Sequence, residues 1–354
     1  MAGVHVYVSN ADDGEIGTYR MAADGTLAAV ARVPAAKLVM PMAVSADRRF
    51  LYAASRSLPY QVHAFAIDAG SGALAPLGAA PLPDTLAYIS LDRTGRTLFG
   101  ASYAGGLVSV NRVGADGRVV APSAQIVAVG RNAHAIRIDN SNRFVFVPTL
   151  GSDAVFQFTF DAASGRLASN TPAVAMLPAG TGPRHIVVSR DNRFVYVLSE
   201  LLANVSTFAL DGASGLLTLV GAASFLPPGS TLGPGAPRGP NAPPRNTEND
   251  AWAADLHLTP DGTLLYASER TSSILSAFRV DPATGALAYL GSAPTERQPR
   301  GFAIDPTGRF IVASGEKSET LSVHAIDPAS GALRLVGKYP GGKGANWVEI
   351  VALP

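Results

Sequence analysis

An all-β fold, a closed ring of seven four-stranded antiparallel blades, is predicted by three observations. A strand-and-turn unit recurs along the 354 residues, its period is roughly 45–50 residues, and the two ends of the chain carry complementary parts of one copy. The unit has two alternating signatures. The first is a polar turn leading into a β-branched and aromatic strand: SADRRFLY (45–52), SLDRTGRTLF (90–99), IDNSNRFVF (138–146), SRDNRFVY (189–196), TPDGTLLY (259–266) and DPTGRFIV (305–312). The second is an aromatic strand, a turn and a short apolar strand: FAIDAGSGAL (65–74), FTFDAASGRL (158–167), FALDGASGLL (208–217), FRVDPATGAL (278–287) and HAIDPASGAL (324–333). Degenerate copies stand at YRMAADGTL (19–27) and VNRVGADGRV (110–119). In these turns the Asp carboxylate can accept nearby backbone N–H groups, and Gly takes the φ > 0 position.

Tyr52, Phe99, Phe146, Tyr196, Tyr266 and Val312 are equivalent landmarks in six copies, and Tyr7 in VHVYVS supplies a seventh. No innermost strand precedes Tyr7, but NWVEIVAL (346–353) is an unpaired strand at the other end. One blade built from both ends accounts for both facts, and the chain reads as a single domain, 1–354. One interval is too long: FLPPGSTLGPGAPRGPNAPPRNTEND (225–250) is rich in Pro and Gly and reads as a loop joining an outer strand to the next inner strand. It is either a tolerated surface insertion or a flap beside a binding site.

Bulk composition narrows the function classes. The chain is 47% hydrophobic and 16% charged, with net charge +1 and no basic stripe, so neither nucleic acid nor a membrane surface is an expected partner. Cysteine is absent, which removes disulfides, thiolate metal sites and a cysteine nucleophile. No signal peptide and no apolar run of the ~18–20 residues needed to span a bilayer is evident, so a cytoplasmic monomer is expected.

The antiparallel pair in GPRHIVVSRDNRFVYVLSE (182–200) brings Arg184 and Glu200 to one sheet edge. Carried around the ring, the counterparts of Arg184 are Met40, Ala87, His134, Ala254 and Arg300, with Trp347 near in the closing blade. Those of Glu200 are Ala11, Arg56, Tyr103, Leu150, Arg270 and Glu316. His134, Arg184, Arg270, Arg300 and Glu200 therefore converge at one mouth, with Tyr103, Glu316 and Lys317 adjacent, and the insertion joins blades at the same edge. Clustered guanidinium groups suit a carboxylate or phosphate, because the planar fork donates paired hydrogen bonds. A lone Arg at a blade junction is as readily an inter-blade ion pair. Strict alternation turns His185 away from Arg184 to pack between blades, and Asp255 shares its register as a structural acceptor. His5, His63, His257 and His324 lack metal-ligand spacing, the acidic run Asp12, Asp13, Glu15 is a weak match to a calcium loop, and no nucleophile elbow or P-loop occurs.

GPRH (182–185), SEL (199–201), WAADLHLTPDGTLLYASERTSS (252–273), TERQPRGFAIDP (295–306) and GEKS (315–318) resemble the bacterial 6-phosphogluconolactonases of the seven-bladed propeller type, related to the fungal 3-carboxy-cis,cis-muconate cycloisomerases. The resemblance spans essentially the whole chain, with an insertion longer than the family pattern. It implies hydrolysis of 6-phospho-D-gluconolactone in the pentose phosphate pathway, without metal or organic cofactor. It also implies a site of His134 (NAHAI), Arg184 (GPRH), Glu200 (SEL) and Arg270 (SERTS). His134 is then expected as proton acceptor and Glu200 as its orienter or the positioner of water, the reverse remaining open. Arg184, Arg270, Arg300, Tyr103 and Lys317 would contact the anionic lactone. Cycloisomerisation of a carboxylated muconate and a non-catalytic protein-binding platform are the competing readings.

Overall fold

The computed structural model describes residues 3–238 and 245–354, so residues 239–244 of the 225–250 insertion lie outside the described residues. The chain forms seven four-stranded antiparallel sheets, and a 3-10 turn at Leu150–Ser152 is the one helical piece among the described residues. No helix there is long and apolar enough to cross a membrane.

The turns form as their residues dictate. Asp281 accepts the backbone N–H groups of Ala283 (2.8 Å) and Thr284 (3.0 Å), and Asp327 those of Ala329 and Ser330 (both 2.9 Å). Gly285 (φ 72°) and Gly331 (φ 75°) close the two turns in the left-handed region, where a Cβ would be strained. In the polar turns Asp305 accepts the amides of Arg309 and Phe310, both at 2.7 Å. These contacts fix the hairpin register, and the register decides which face each strand residue occupies.

The seven landmark side chains are all 0% exposed. Burying an aromatic or branched side chain of this size stabilises the fold by about 1.5–3 kcal/mol. Two landmark hydroxyls also tie neighbouring blades together: Tyr7 Oη donates to Gly72 O (2.8 Å) and Tyr266 Oη to Gly331 O (2.9 Å). The first blade pairs Ala345–Ala352 with Val4–Asn10, followed by Glu15–Met21 and Leu27–Pro34, so it draws on both ends of the chain as expected.

One irregularity positions the site. In the fifth blade Pro183 faces Ser199 and Ile186 faces Val197, so Arg184 and His185 together stand opposite Leu198. Two residues against one is a β-bulge, which suspends the alternation of faces. The second and sixth blades shift at Val39/Met42 and Ala253/Leu256, and the closing blade at Ser9/Asn10. Two consecutive residues, 184 and 185, thus reach the central channel. The next ring (Met42, Ile89, Ile136, Ile186, Leu256, Phe302 and Val348) turns into the cores between blades and is at most 4% exposed. The expectation that His185 packs between blades is overturned by this bulge. Register also places Asn346, not Trp347, in line with Arg184; Trp347 belongs to the His185 ring.

Candidate active site

Three charged side chains from the fifth and sixth blades form the centre of the mouth. Glu200 Oε2 accepts from Arg184 Nε at 2.7 Å and from Arg270 Nη2 at 3.0 Å. Arg184 Nη1 donates to the Ala254 carbonyl, and Arg270 donates to the carbonyls of Trp252 (Nε, 3.2 Å) and Ala253 (Nη2, 3.0 Å). Residue exposures are 0% for Arg184, 2% for Arg270 and 4% for Glu200, so these are desolvated charges held by paired partners. Burial pushes the Glu200 pKa up, but Arg270, Arg184 and Arg300 outweigh it and hold the carboxyl below its ordinary value. Burial pulls Arg184 down to about 10 and Arg270 to about 9, against the pull of Glu200, and both stay cationic at neutral pH.

His134 precedes the short inner strand Arg137–Ile138 and is held by its backbone N–H to Pro148 O (3.0 Å). Burial, then the neighbouring Arg184, His185 and Arg300, push its pKa well below the ordinary histidine value, so the ring is neutral at pH 7. The Tyr103 ring meets it edge-on, centroids 5.5 Å apart. Burial and Glu200 raise the Tyr103 hydroxyl to about 12, and that hydroxyl donates to the Arg238 carbonyl at 3.1 Å.

Beneath this layer lies the His185 ring. His185 Nδ1 is 2.8 Å from Asp255 Oδ1, and Asp255 Oδ2 is 3.1 Å from His257 Nε2. The His185 ring packs on Tyr88 (5.1 Å), His134 (5.3 Å) and Trp347 (5.9 Å), side chains from three other blades. Asp255 is thus the acceptor expected of it.

Arg300 pairs with Glu316 at 3.3 Å, with side chains 14% and 24% exposed. Glu316 and the exposed Lys317 line a cleft of about 560 Å³ together with Arg56, Met40, Arg238, Trp252 and Asn346. Here the insertion enters: Arg238 lies 3.8 Å from the Trp252 ring centroid, Arg270 3.7 Å from the same centroid, and two guanidinium groups so close must stack on opposite faces. The ion pairs of Arg245 and Arg238 (3.7 Å) with Asp250 hold the returning limb of the loop.

Of the side chains selected from sequence, Arg184, Glu200 and Arg270 are in direct contact, His134 and Tyr103 touch beside them, Arg300 engages Glu316, and Lys317 stands at the rim. Glu200 Oε2 accepts from both arginines, and no hydrogen bond joins Glu200 to His134 among the described residues. Sequence reading missed His185, hidden by the bulge, and Arg238 and Trp252. Arg238 lies in a non-repeating segment, where register gives no signal.

The chain matches the family described as lactonase, 7-bladed beta-propeller, over residues 3–350. A Serratia proteamaculans protein named 6-phosphogluconolactonase is 38% identical over 347 residues, 98% of each chain. One of the same name from Pectobacterium carotovorum is 37% identical over 349 residues, again 98% of each. The solved structure of the Pseudomonas aeruginosa periplasmic gluconolactonase, PpgL, is similar with a TM-score of 0.87 and 29% identity over 100% of both chains.

Proposed function

This chain belongs to the seven-bladed β-propeller lactonase family, and on that premise we propose that it hydrolyses an anionic sugar lactone, 6-phosphogluconolactone, to 6-phosphogluconate. The observation that carries the reading is the buried Arg184–Glu200–Arg270 cluster set beside a neutral imidazole.

Neutral His134 accepts a proton as water attacks the lactone carbonyl carbon. Arg184 and Arg270 face the oxyanion that develops there; their bonds to Glu200 and to backbone carbonyls fix them before substrate arrives, so little reorganisation accompanies the step. Collapse of the tetrahedral adduct breaks the ring C–O bond, and protonated His134 returns its proton to the departing hydroxyl. Base catalysis of this kind contributes about 10²–10⁴-fold. Glu200 keeps the clustered cations from repelling one another, while Arg300 and Tyr103 complete the wall. Arg56, Arg238 and Lys317 ring the cleft where a phosphate would extend.

A coupled assay following release of 6-phosphogluconate tests the reading. His134→Ala and Arg184→Ala should each lower turnover by orders of magnitude; wild-type-like rates in both would remove the site. The likeness to PpgL favours one second reading, an unphosphorylated gluconolactone as substrate. A phosphorylated substrate fits the cytoplasm and an unphosphorylated one the periplasm, so comparing kcat/KM for the two lactones addresses substrate and compartment together. Cycloisomerisation and a purely binding role are not favoured beside relatives named for lactone hydrolysis.

A further inference from the structure

Two buried imidazole nitrogens in the channel lack a hydrogen-bond partner among the described residues: Nδ1 of His134 and Nε2 of His185. The residues are 5% and 2% exposed, and their rings lie 5.3 Å apart between centroids. Buried polar atoms are nearly always satisfied, and two such atoms on adjacent rings mark a place for one small polar molecule. The rings meet at 63°, beside Tyr88, Trp347 and Tyr103.

The hydrogen-bond directions follow from Asp255. Its carboxylate can only accept, so His185 Nδ1 carries the proton and Nε2 of the neutral ring presents a lone pair. Asp255 Oδ2 faces His257 Nε2 at 3.1 Å, and its Oδ1 also accepts the backbone N–H of Leu256 at 3.0 Å, so the carboxylate is held from several sides. A water bound between the rings must donate one hydrogen to His185 Nε2. The water then has its oxygen and a second hydrogen left for His134 Nδ1. Accepting from an N–H there leaves the His134 lone pair on Nε2, whereas donating to Nδ1 would leave the N–H on Nε2, so the His134 tautomer is the quantity to measure.

We propose that Asp255, His185 and one bridging water form a relay that sets the tautomer of His134, making Nε2 its basic nitrogen. His185 and Asp255 are positioning residues that act through His134. When His134 Nε2 takes a proton from the attacking water, the positive charge is shared along Nδ1–H, the bridging water and the His185–Asp255 pair, and no further bond is made or broken. The imidazoles come from the fourth and fifth blades and the carboxylate from the sixth, so ring closure itself assembles the relay. His134 is the base only under the lactonase reading, but its tautomer is read without substrate, so the two stand or fall separately.

The experiment is ¹⁵N NMR of histidine-labelled full-length protein, in which six imidazoles need assignment, combined with steady-state kinetics. In the wild type His134 should be a single Nδ1–H tautomer. His185→Phe, which removes the acceptor, should abolish that single tautomer and lower kcat by about 100-fold with KM within about twofold. His185→Gln, whose side-chain carbonyl can accept from the same water, should restore the tautomer and most of kcat. A residue needed only for packing would change thermal stability in His185→Phe and leave the tautomer alone. A wild-type His134 protonated at Nε2, or a tautomer unchanged in His185→Phe, overturns the relay; the wild-type reading needs no variant to fold.

Discussion

The fifth and seventh blades carry the same pair at the same repeat position. Arg184 and Glu200 are 16 residues apart, as are Arg300 and Glu316, and each pair joins the start of an inner strand to the end of the next. Yet the first pair is buried, its N–O distance is 2.7 Å, and Arg270 from the sixth blade shares the carboxylate. The second pair is 3.3 Å apart at the edge of an open cleft. Register delivers a charge pair to the mouth. What the neighbouring blade contributes decides whether the pair becomes a fixed electrostatic centre or an adjustable rim.

Glu200→Ala should break the comparison most visibly. It strands two buried guanidinium groups, and loss of one partner from such a cluster costs about 3–5 kcal/mol. Glu316→Ala releases a single partner, Arg300, at the cleft edge, and should cost less, about 1 kcal/mol. Chemical denaturation of both variants is the measurement; equal losses would mean that the two pairs are energetically alike. His134→Ala should lower turnover at least about 100-fold while leaving the denaturation midpoint near wild type, which separates the chemistry from the ion pairs around it. Arg238→Ala should raise KM for the phosphorylated lactone about tenfold, a difference of about 1.4 kcal/mol, and leave the unphosphorylated lactone nearly unaffected. Parallel increases for both lactones would place the phosphate elsewhere.

A further difference is in pH. Burial, with Arg184 next and Asp255 opposing, lowers His185 to about 4 in the folded protein. Its unfolded value is about 6.5, so the unfolded chain takes up the proton first. The contribution of this group is therefore level above about pH 6.5, falls as pH drops toward 4, and is flat below. His185→Phe should remove that part of the stability slope, measured by denaturation at several pH values.

Most of the architecture was legible because its signals are periodic. The Asp turns, the landmark aromatics and the unmatched strands at the two ends each follow from local chemistry, and they led directly to Arg184, Glu200, Arg270 and His134. The bulge was not legible. One extra residue in a strand leaves no mark in composition or spacing, yet it moved His185 from a presumed inter-blade core into the channel beside His134. Arg238 was hidden for a different reason: it lies in the 225–250 segment, which has no counterpart in other blades. Through Arg238, which meets the Tyr103 hydroxyl and the Trp252 ring, the described part of this segment rests against the mouth.

The chain has two tryptophans. Trp252 is enclosed by Arg238 and Arg270, and Trp347 packs on Tyr88 and His185 in the layer below. Both native fluorophores therefore report from the channel, one above the other. An anion that draws a guanidinium off the upper indole should alter its emission without disturbing the lower one, giving a label-free optical gauge of occupancy at two depths.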